Sequence, residues 1–239
     1  MPNTLKFILP MFFGLLLTAC TDSASGPAPQ GVAMSSQEAS ATVDFAARSS
    51  RVAARGDEVV PLMAGMKAPA FTRTKADGSD YVFDPENVER PIVLTFYRGG
   101  FCPYCNRSLA AMRHAEEELI SMGYDVLFVS MDRPEILVSN LTLDDVQYTL
   151  LSDADASLTK AFGLAYRVSD ETVARYLNSG IDLEGDSGHD HHILPTPGNF
   201  IISTEGIIEF AYVNPNYRER IDPELLVTAA RLALSDEDM

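Results

Sequence analysis

Apolar residues in this chain fall into two alternating patterns, short unbroken runs and longer stretches spaced at helical intervals. The run "PIVLTFY", Pro91 to Tyr97, is almost wholly apolar and rich in β-branched residues, as a strand covered on both faces must be. From Pro103 to Met122 neither Gly nor Pro recurs after the first residue, and Leu109, Met112 and Leu119 share one side, which predicts a helix closed by Gly123. "YDVLFVSM", Tyr124 to Met131, and "QYTLLSD", Gln147 to Asp153, predict two further buried strands. "NFIISTEGIIEFAYV", Asn199 to Val213, predicts a hairpin around a Gly-containing turn. A last helix is predicted from Pro223 to Leu234 with Asp222 as its cap. Strands alternating with helices, then a hairpin and a helix, make an α/β domain with a mixed central sheet flanked by helices.

Ahead of Met66 the pattern is thinner. Thr21 to Asp44 is rich in Ser, Ala, Gly and Pro and predicts a flexible tether, while Val43 to Val60 permits a short helix with a narrow apolar face. The expected organisation is a leader over residues 1–19, a tether with a short helix over 20–64, and one folded domain over 65–239, about 175 residues, enough for a substantial core.

Charge narrows the functions available. The net charge is -16, and removing the leader with its single Lys6 makes it -17, so the chain repels nucleic acid and offers no basic face to anionic lipid. The leader itself carries Lys6, the apolar stretch "FILPMFFGLLL" and small residues before Cys20, the order of a signal peptide, with an uncleaved N-terminal anchor as the alternative. Its ending, "LTAC", resembles the lipobox of bacterial lipoproteins, which implies a lipid on Cys20. The expectation is a protein of the cell envelope, anchored in the membrane by that lipid and facing the periplasm or the exterior.

The remaining two cysteines, Cys102 and Cys105, lie in "FYRGGFCPYCN" between a strand and a helix. Pro103 suits the first helical position, which puts Cys102 at the N-cap, where the helix dipole lowers a thiol's pKa. Cys105, three residues on, lies within disulfide reach. This arrangement favours a cycling disulfide; a static disulfide and half of a zinc site are the alternatives. His189, His191 and His192 crowd into "GHDHH", a candidate copper or zinc site set against an ordinary polar loop, whereas His114 falls among charged residues mid-helix. No bound cofactor is called for.

The stretches "VLTFYRGGFCPYCNRSLAAM", "TLLSDADASLTKAFGL" and "PTPGNFIISTEGIIEFAYVNPNY" together resemble the peroxiredoxin-like branch of the alkyl hydroperoxide reductase and thiol-specific antioxidant family. The resemblance implies a thioredoxin-like fold, reduction of peroxides through a cysteine at the start of the helix, and a thioredoxin-like electron donor. It also implies that Pro197 is the proline facing the cysteines, and it aligns Cys105, not Cys102, with the peroxide-attacking residue. Two departures stand out: Arg98 occupies the place of the usual proline, and the arginine expected near Pro197 is missing, which leaves Arg98 as the guanidinium for a thiolate or peroxide oxygen. Cys102 is expected to attack disulfides, by its place at the helix end. Three functions stay open: a thiol oxidoreductase acting on peroxides or disulfides through Cys102 and Cys105, a copper- or zinc-binding module using the cysteines and the histidine loop, and a docking domain.

Overall fold

A computed structural model of the chain describes residues 50–139 and 148–237. The expected leader, Cys20 and most of the tether lie outside the described residues. The strands are β1 (Phe71–Lys75), β2 (Asp80–Phe83), β3 (Ile92–Phe96), β4 (Asp125–Ser130), β5 (Thr149–Ser152), β6 (Ala165–Arg167), β7 (Ile193–Pro195), β8 (Gly198–Ile202) and β9 (Ile208–Val213). The helices are α1 (Pro103–Ser121), α2 (Pro134–Ser139), α3 (Ser157–Ala161), α4 (Asp170–Asn178), α5 (Leu183–Ser187) and α6 (Pro223–Glu237).

Seven strands form one sheet in the order β2-β1-β5-β4-β3-β8-β9, with β3, β4 and β5 parallel and the other pairs antiparallel. Successive side chains of a strand point to opposite faces, and β3 divides its residues accordingly. Val93 joins a core with Leu109, Met112 and Leu119 of α1 and Leu226 and Val227 of α6. Ile92, Leu94 and Phe96 enter the opposite core with Leu158, Phe162 and Phe200. Coverage on both faces explains why the β3 and β4 runs are apolar throughout. Each of these fully buried side chains contributes about 1.5–3 kcal/mol by leaving water.

The termini of α1 follow from its sequence. Pro103 occupies the first turn after an extended Cys102. At the other end Gly123 takes φ 97°, its N–H bonds the Ile120 carbonyl at 2.9 Å, and the Tyr124 N–H reaches back to Leu119 at 3.1 Å, the double bond of a glycine-terminated helix. The Asp222 carboxylate accepts the Glu224 N–H at 2.9 Å and opens α6 as expected. The β8–β9 hairpin turns at Gly206, where φ is 75° and a Cβ would stand 2.4 Å from the Pro85 carbonyl oxygen, so only glycine fits.

Two expectations need correction. Over its described part, the stretch to Val60 is not helical: Ala53 pairs with Tyr166 of β6, its N–H bonding the Ala165 carbonyl at 2.9 Å and its carbonyl accepting from the Arg167 N–H at 2.9 Å. Backbone pairing to an open strand edge outweighs the helical propensity of the alanines there. The tether is also shorter than expected, since Ala53 and Leu62 are already buried against the domain. Besides these, β6, β7, α4 and α5 form an insertion between β5 and β8, with its own apolar cluster of Met131, Ala165, Val168, Leu183, Ile193 and Leu194 and with Phe101 of the cysteine loop packed against it.

Candidate active site

The C-terminal ends of the parallel neighbours β3 and β4 lie side by side, and each continues into a loop that carries chemistry. After β3 come Tyr97, Arg98, Gly99, Gly100 and Phe101; after β4 comes Asp132. Gly99 has φ 135°, and a Cβ there would stand 2.8 Å from both Asp132 Oδ1 and the Phe101 ring. That close approach lets the Gly100 N–H donate to Asp132 Oδ2 at 2.8 Å. The Gly100 carbonyl accepts from Asn106 Nδ2 at 2.9 Å, and the Cys102 N–H bonds the Gly99 carbonyl at 3.1 Å. The loop is thus pinned to α1 on one side and to β4 on the other. Asp132 is buried, and burial pushes its carboxyl up to about 6, against the Gly100 N–H, which favours the anion.

Cys102 and Cys105 are free thiols, and both are buried, so exposure does not set them apart. The two differ in electrostatics instead. The Cys105 thiol, donating to Cys102, holds Cys102 down to about 5, while burial opposes and the first-turn N–H groups and Arg98 assist. The Cys102 sulfur makes no full cap hydrogen bond, so the N-cap expected from the sequence acts by proximity. Cys105 is pushed well up, first because it is the donor in that pair and next because it is buried. Cys102 is therefore the thiolate and Cys105 holds the proton.

Each sulfur has its own guanidinium. Arg98 is buried; burial opposes its charge, but Tyr166 and Tyr176 hold it well above its ordinary value, with Nη2 donating to the Tyr176 hydroxyl at 2.8 Å. It stacks on Tyr217, 4.4 Å from the ring centre. Arg220 Nη2 lies 3.2 Å from Cys105 Sγ. Sequence reasoning named Arg98 and missed Arg220, which stands just before α6; its only signal was a second arginine shortly after the aromatic of "NYRER". Asp132 was missed as well, although a carboxylate at the end of a strand parallel to the cysteine strand was a readable sign. Pro197 lies in the link between β7 and β8 and lines a cavity of about 390 Å³ with Gly56, Tyr166, Thr196, Pro215 and Tyr217. The site reaches that cavity through Tyr217.

The histidines do not assemble the candidate metal site. His191 Nε2 donates to the Ala154 carbonyl at 2.8 Å and its Nδ1 accepts the Ile193 N–H at 2.9 Å, so both ring nitrogens are committed. Burial pushes its pKa down and keeps it neutral. His192 Nε2 meets Glu184 Oε1 at 2.7 Å, and His189 stacks on His191 with centroids 5.6 Å apart. Among the described residues no group of three or more His, Cys, Asp or Glu converges on a point. The physical reason is competition: the backbone of this loop needs the imidazoles as partners. His114 is exposed on α1, as expected.

Comparison with known proteins follows the same lines. Peroxiredoxin Bcp of Escherichia coli (strain K12) is 34% identical over 104 residues, 44% of this chain and 66% of that protein, so the chain spans just under two thirds of that relative's length. The chloroplastic 2-Cys peroxiredoxin BAS1 of Hordeum vulgare is 26% identical over 190 residues, 72% of this chain and 75% of that protein. Among solved structures, the peroxidoxin BcpB of Mycobacterium tuberculosis superposes with a TM-score of 0.56 at 16% identity, covering 72% of this chain and 97% of that one. AhpC of the same organism gives 0.56 at 16% identity, covering 74% and 96%. These likenesses establish the thioredoxin-like fold expected from the sequence. The AhpC/TSA family pattern matches residues 64–211, a stretch that includes Arg98, both cysteines, Asp132 and Pro197 but stops short of Arg220, and the chain belongs to that family.

Proposed function

We propose that the chain is a thiol peroxidase and disulfide reductase that cycles Cys102 and Cys105 between dithiol and disulfide. The observation that carries this reading is geometric: two free thiols three residues apart at the start of α1, with Arg220 Nη2 3.2 Å from Cys105 Sγ, an arrangement in which the Cys105 thiol holds Cys102 the lower of the two. The Cys102 thiolate attacks the terminal oxygen of a hydroperoxide, the O–O bond breaks, and the leaving alkoxide or hydroxide takes a proton from water. Cys105 then attacks the sulfenic sulfur, water leaves, and the Cys102–Cys105 disulfide carries the two electrons' worth of oxidation. A thioredoxin-like dithiol donor returns both electrons by exchange. The same sulfur opens disulfides, which is why both substrate classes are assigned to one site. The family resemblance puts Cys105 first for peroxide; the proton division supports Cys102 for both.

The test is single-turnover reaction of the reduced protein with hydrogen peroxide and with a small disulfide, in wild type, Cys102→Ser and Cys105→Ser. Cys105→Ser should accumulate a sulfenic acid or mixed disulfide on Cys102, and Cys102→Ser should accumulate neither. The opposite pattern overturns the assignment. Envelope tethering belongs to the same proposal and is supported by the "LTAC" ending. Mass spectrometry of the mature protein should find a lipid on Cys20; an intact Met1 would remove that part.

A further inference from the structure

Four arginines stand on the cysteines or on the tyrosine rings next to them, and among the described residues none of them meets a carboxylate within 4.0 Å. Arg98 and Arg220 are the two already described. Arg107, exposed on α1, lies over the Tyr104 ring at 4.8 Å. Arg218, also exposed, lies 5.8 Å from the Tyr104 ring and 5.6 Å from that of Tyr217. The two tyrosines meet edge to face at 5.7 Å and join the outer arginines to Arg98. Arg220 is satisfied by the Glu219 and Tyr217 carbonyls and by Cys105 Sγ, not by an acid.

Other cations divide between paired and unpaired: Arg51, Lys75, Lys160 and Arg175 also lack an ion pair among the described residues, but none of them stands on the aromatic rings beside the cysteines. The chain carries 34 acidic against 18 basic residues. Elsewhere Lys67, Arg73, Arg90, Arg167 and Arg231 each hold a carboxylate. Glu219 and Asp222 flank Arg218 and Arg220 in sequence, yet Asp222 caps α6 and neither pairs with a guanidinium of the cluster. Aromatic faces hold the arginines in place of acids, which fixes their position and leaves their charge unneutralised. A surface cluster of one sign concentrates ligands of the other sign, even on a molecule whose net charge repels them.

We infer that this arginine–tyrosine cluster selects small anionic disulfides, in which a carboxylate a few bonds from the sulfur is received by Arg107 and Arg218 while the S–S bond meets Cys102. The inference rests on the dithiol reading above and names its substrate class. Cys102 thiolate attacks one sulfur, a mixed disulfide forms, and the first carboxylate-bearing thiolate leaves and takes a proton from water. Cys105 gives up its proton beside Arg220 and attacks Cys102, expelling the second thiolate. Two electrons pass from the protein dithiol to the substrate, giving two small thiols and the Cys102–Cys105 disulfide. Hydrogen peroxide has no arm to reach the outer arginines and gains nothing from them.

The experiment uses three small disulfides of opposite or no charge: dithiodipropionate, bis-hydroxyethyl disulfide and cystamine. The reduced full chain is mixed with each, quenched with acid, and the oxidation of the Cys102–Cys105 peptide is read by mass. Every rate is divided by that of dithiothreitol with the same disulfide, which removes intrinsic reactivity. At low ionic strength dithiodipropionate should exceed cystamine by about tenfold, the lower end of what focused charge gives. Raising the salt to about 0.3 M should collapse most of that ratio. The Arg107→Gln/Arg218→Gln variant should lower the anionic-to-neutral ratio several-fold. A cystamine rate equal to or above the dithiodipropionate rate overturns the inference, as does a ratio indifferent to both salt and the double substitution. The salt series uses only wild type and so stands if the variant fails to fold. Oxidation by the neutral disulfide without anionic preference removes only this inference; no oxidation by the neutral disulfide or by hydrogen peroxide removes the redox reading beneath it.

Discussion

Cys105→Ala removes the largest influence on Cys102, the thiol that donates to it. A hydrogen bond to a charged acceptor is worth about 1.5–3 kcal/mol, or roughly 1–2 pKa units, so the Cys102 midpoint should rise from about 5 to between roughly 6 and 7. Cys105→Ser keeps an O–H in the donor's place and should leave the midpoint low. The assay is thiolate absorbance, or alkylation rate, against pH in a Cys20→Ser background, so that Cys102 is the only thiol titrating near neutrality. The low midpoint has a kinetic consequence that depends on pH. Against a thiol at 9, the thiolate fraction gains about a hundredfold at pH 7, but nucleophilicity falls with basicity by a slope of about 0.45, which returns nearly all of it and leaves about twofold. At about pH 5.5 the fractions differ by about 2,000-fold and the net advantage is about 40-fold. Disulfide exchange should therefore hold its rate in acid where a free thiol stops. If Cys105→Ala and Cys105→Ser titrate alike, the neighbouring thiol is not the cause; a wild-type midpoint above about 8 refutes the proton division altogether.

Three further outcomes follow from the same loop. Asp132 has a folded pKa raised to about 6, so its favourable contribution is complete below about 4 and is lost as pH rises through 6; Asp132→Asn should recover up to about 3 kcal/mol at pH 7.5 and nothing at pH 4, as read by urea melts at both. Gly99→Ala, at φ 135° with Asp132 Oδ1 and Phe101 each 2.8 Å from the new Cβ, should cost on the order of 2 kcal/mol or more and shift the Cys102 midpoint, read by denaturation and by the titration above. Arg220→Gln should slow closure of the Cys102–Cys105 disulfide by on the order of tenfold while sparing the first attack, because the charge that favours the Cys105 thiolate is gone; rapid-quench kinetics separate the two steps.

What the sequence disclosed was what local pattern controls. Runs such as Pro91 to Tyr97 announced β3 because a strand buried on both faces must be apolar at every position. Pro103 and Gly123 bounded α1 because each satisfies a backbone constraint peculiar to a helix end. The β1–β2 hairpin escaped notice because "FTRTK" buries only Phe71 fully and carries no apolar run. The insertion from β6 to β7 escaped for a related reason: α4 has no buried residue and α5 is a five-residue turn, so neither writes a long stripe. The histidine loop stayed open between a metal site and a polar loop because a crowd of imidazoles says nothing about which backbone groups will claim them; Ala154 lies 37 residues from His191.

The same limit explains the half of the site that remained hidden, and it bears on how the pair works. Arg220 meets Cys105 across 115 residues, a contact made only because α6 packs on α1 and delivers the segment before it to the helix start. With Arg98 alone, the charge would favour a thiolate only at Cys102, and Cys105 would stay a buried acid that resists ionisation after the first attack. With Arg220 beside it, the second sulfur has a cation of its own at the moment the first becomes neutral. The negative charge can then pass from Cys102 to Cys105 inside a closed site, without either thiolate having to be solvated by water.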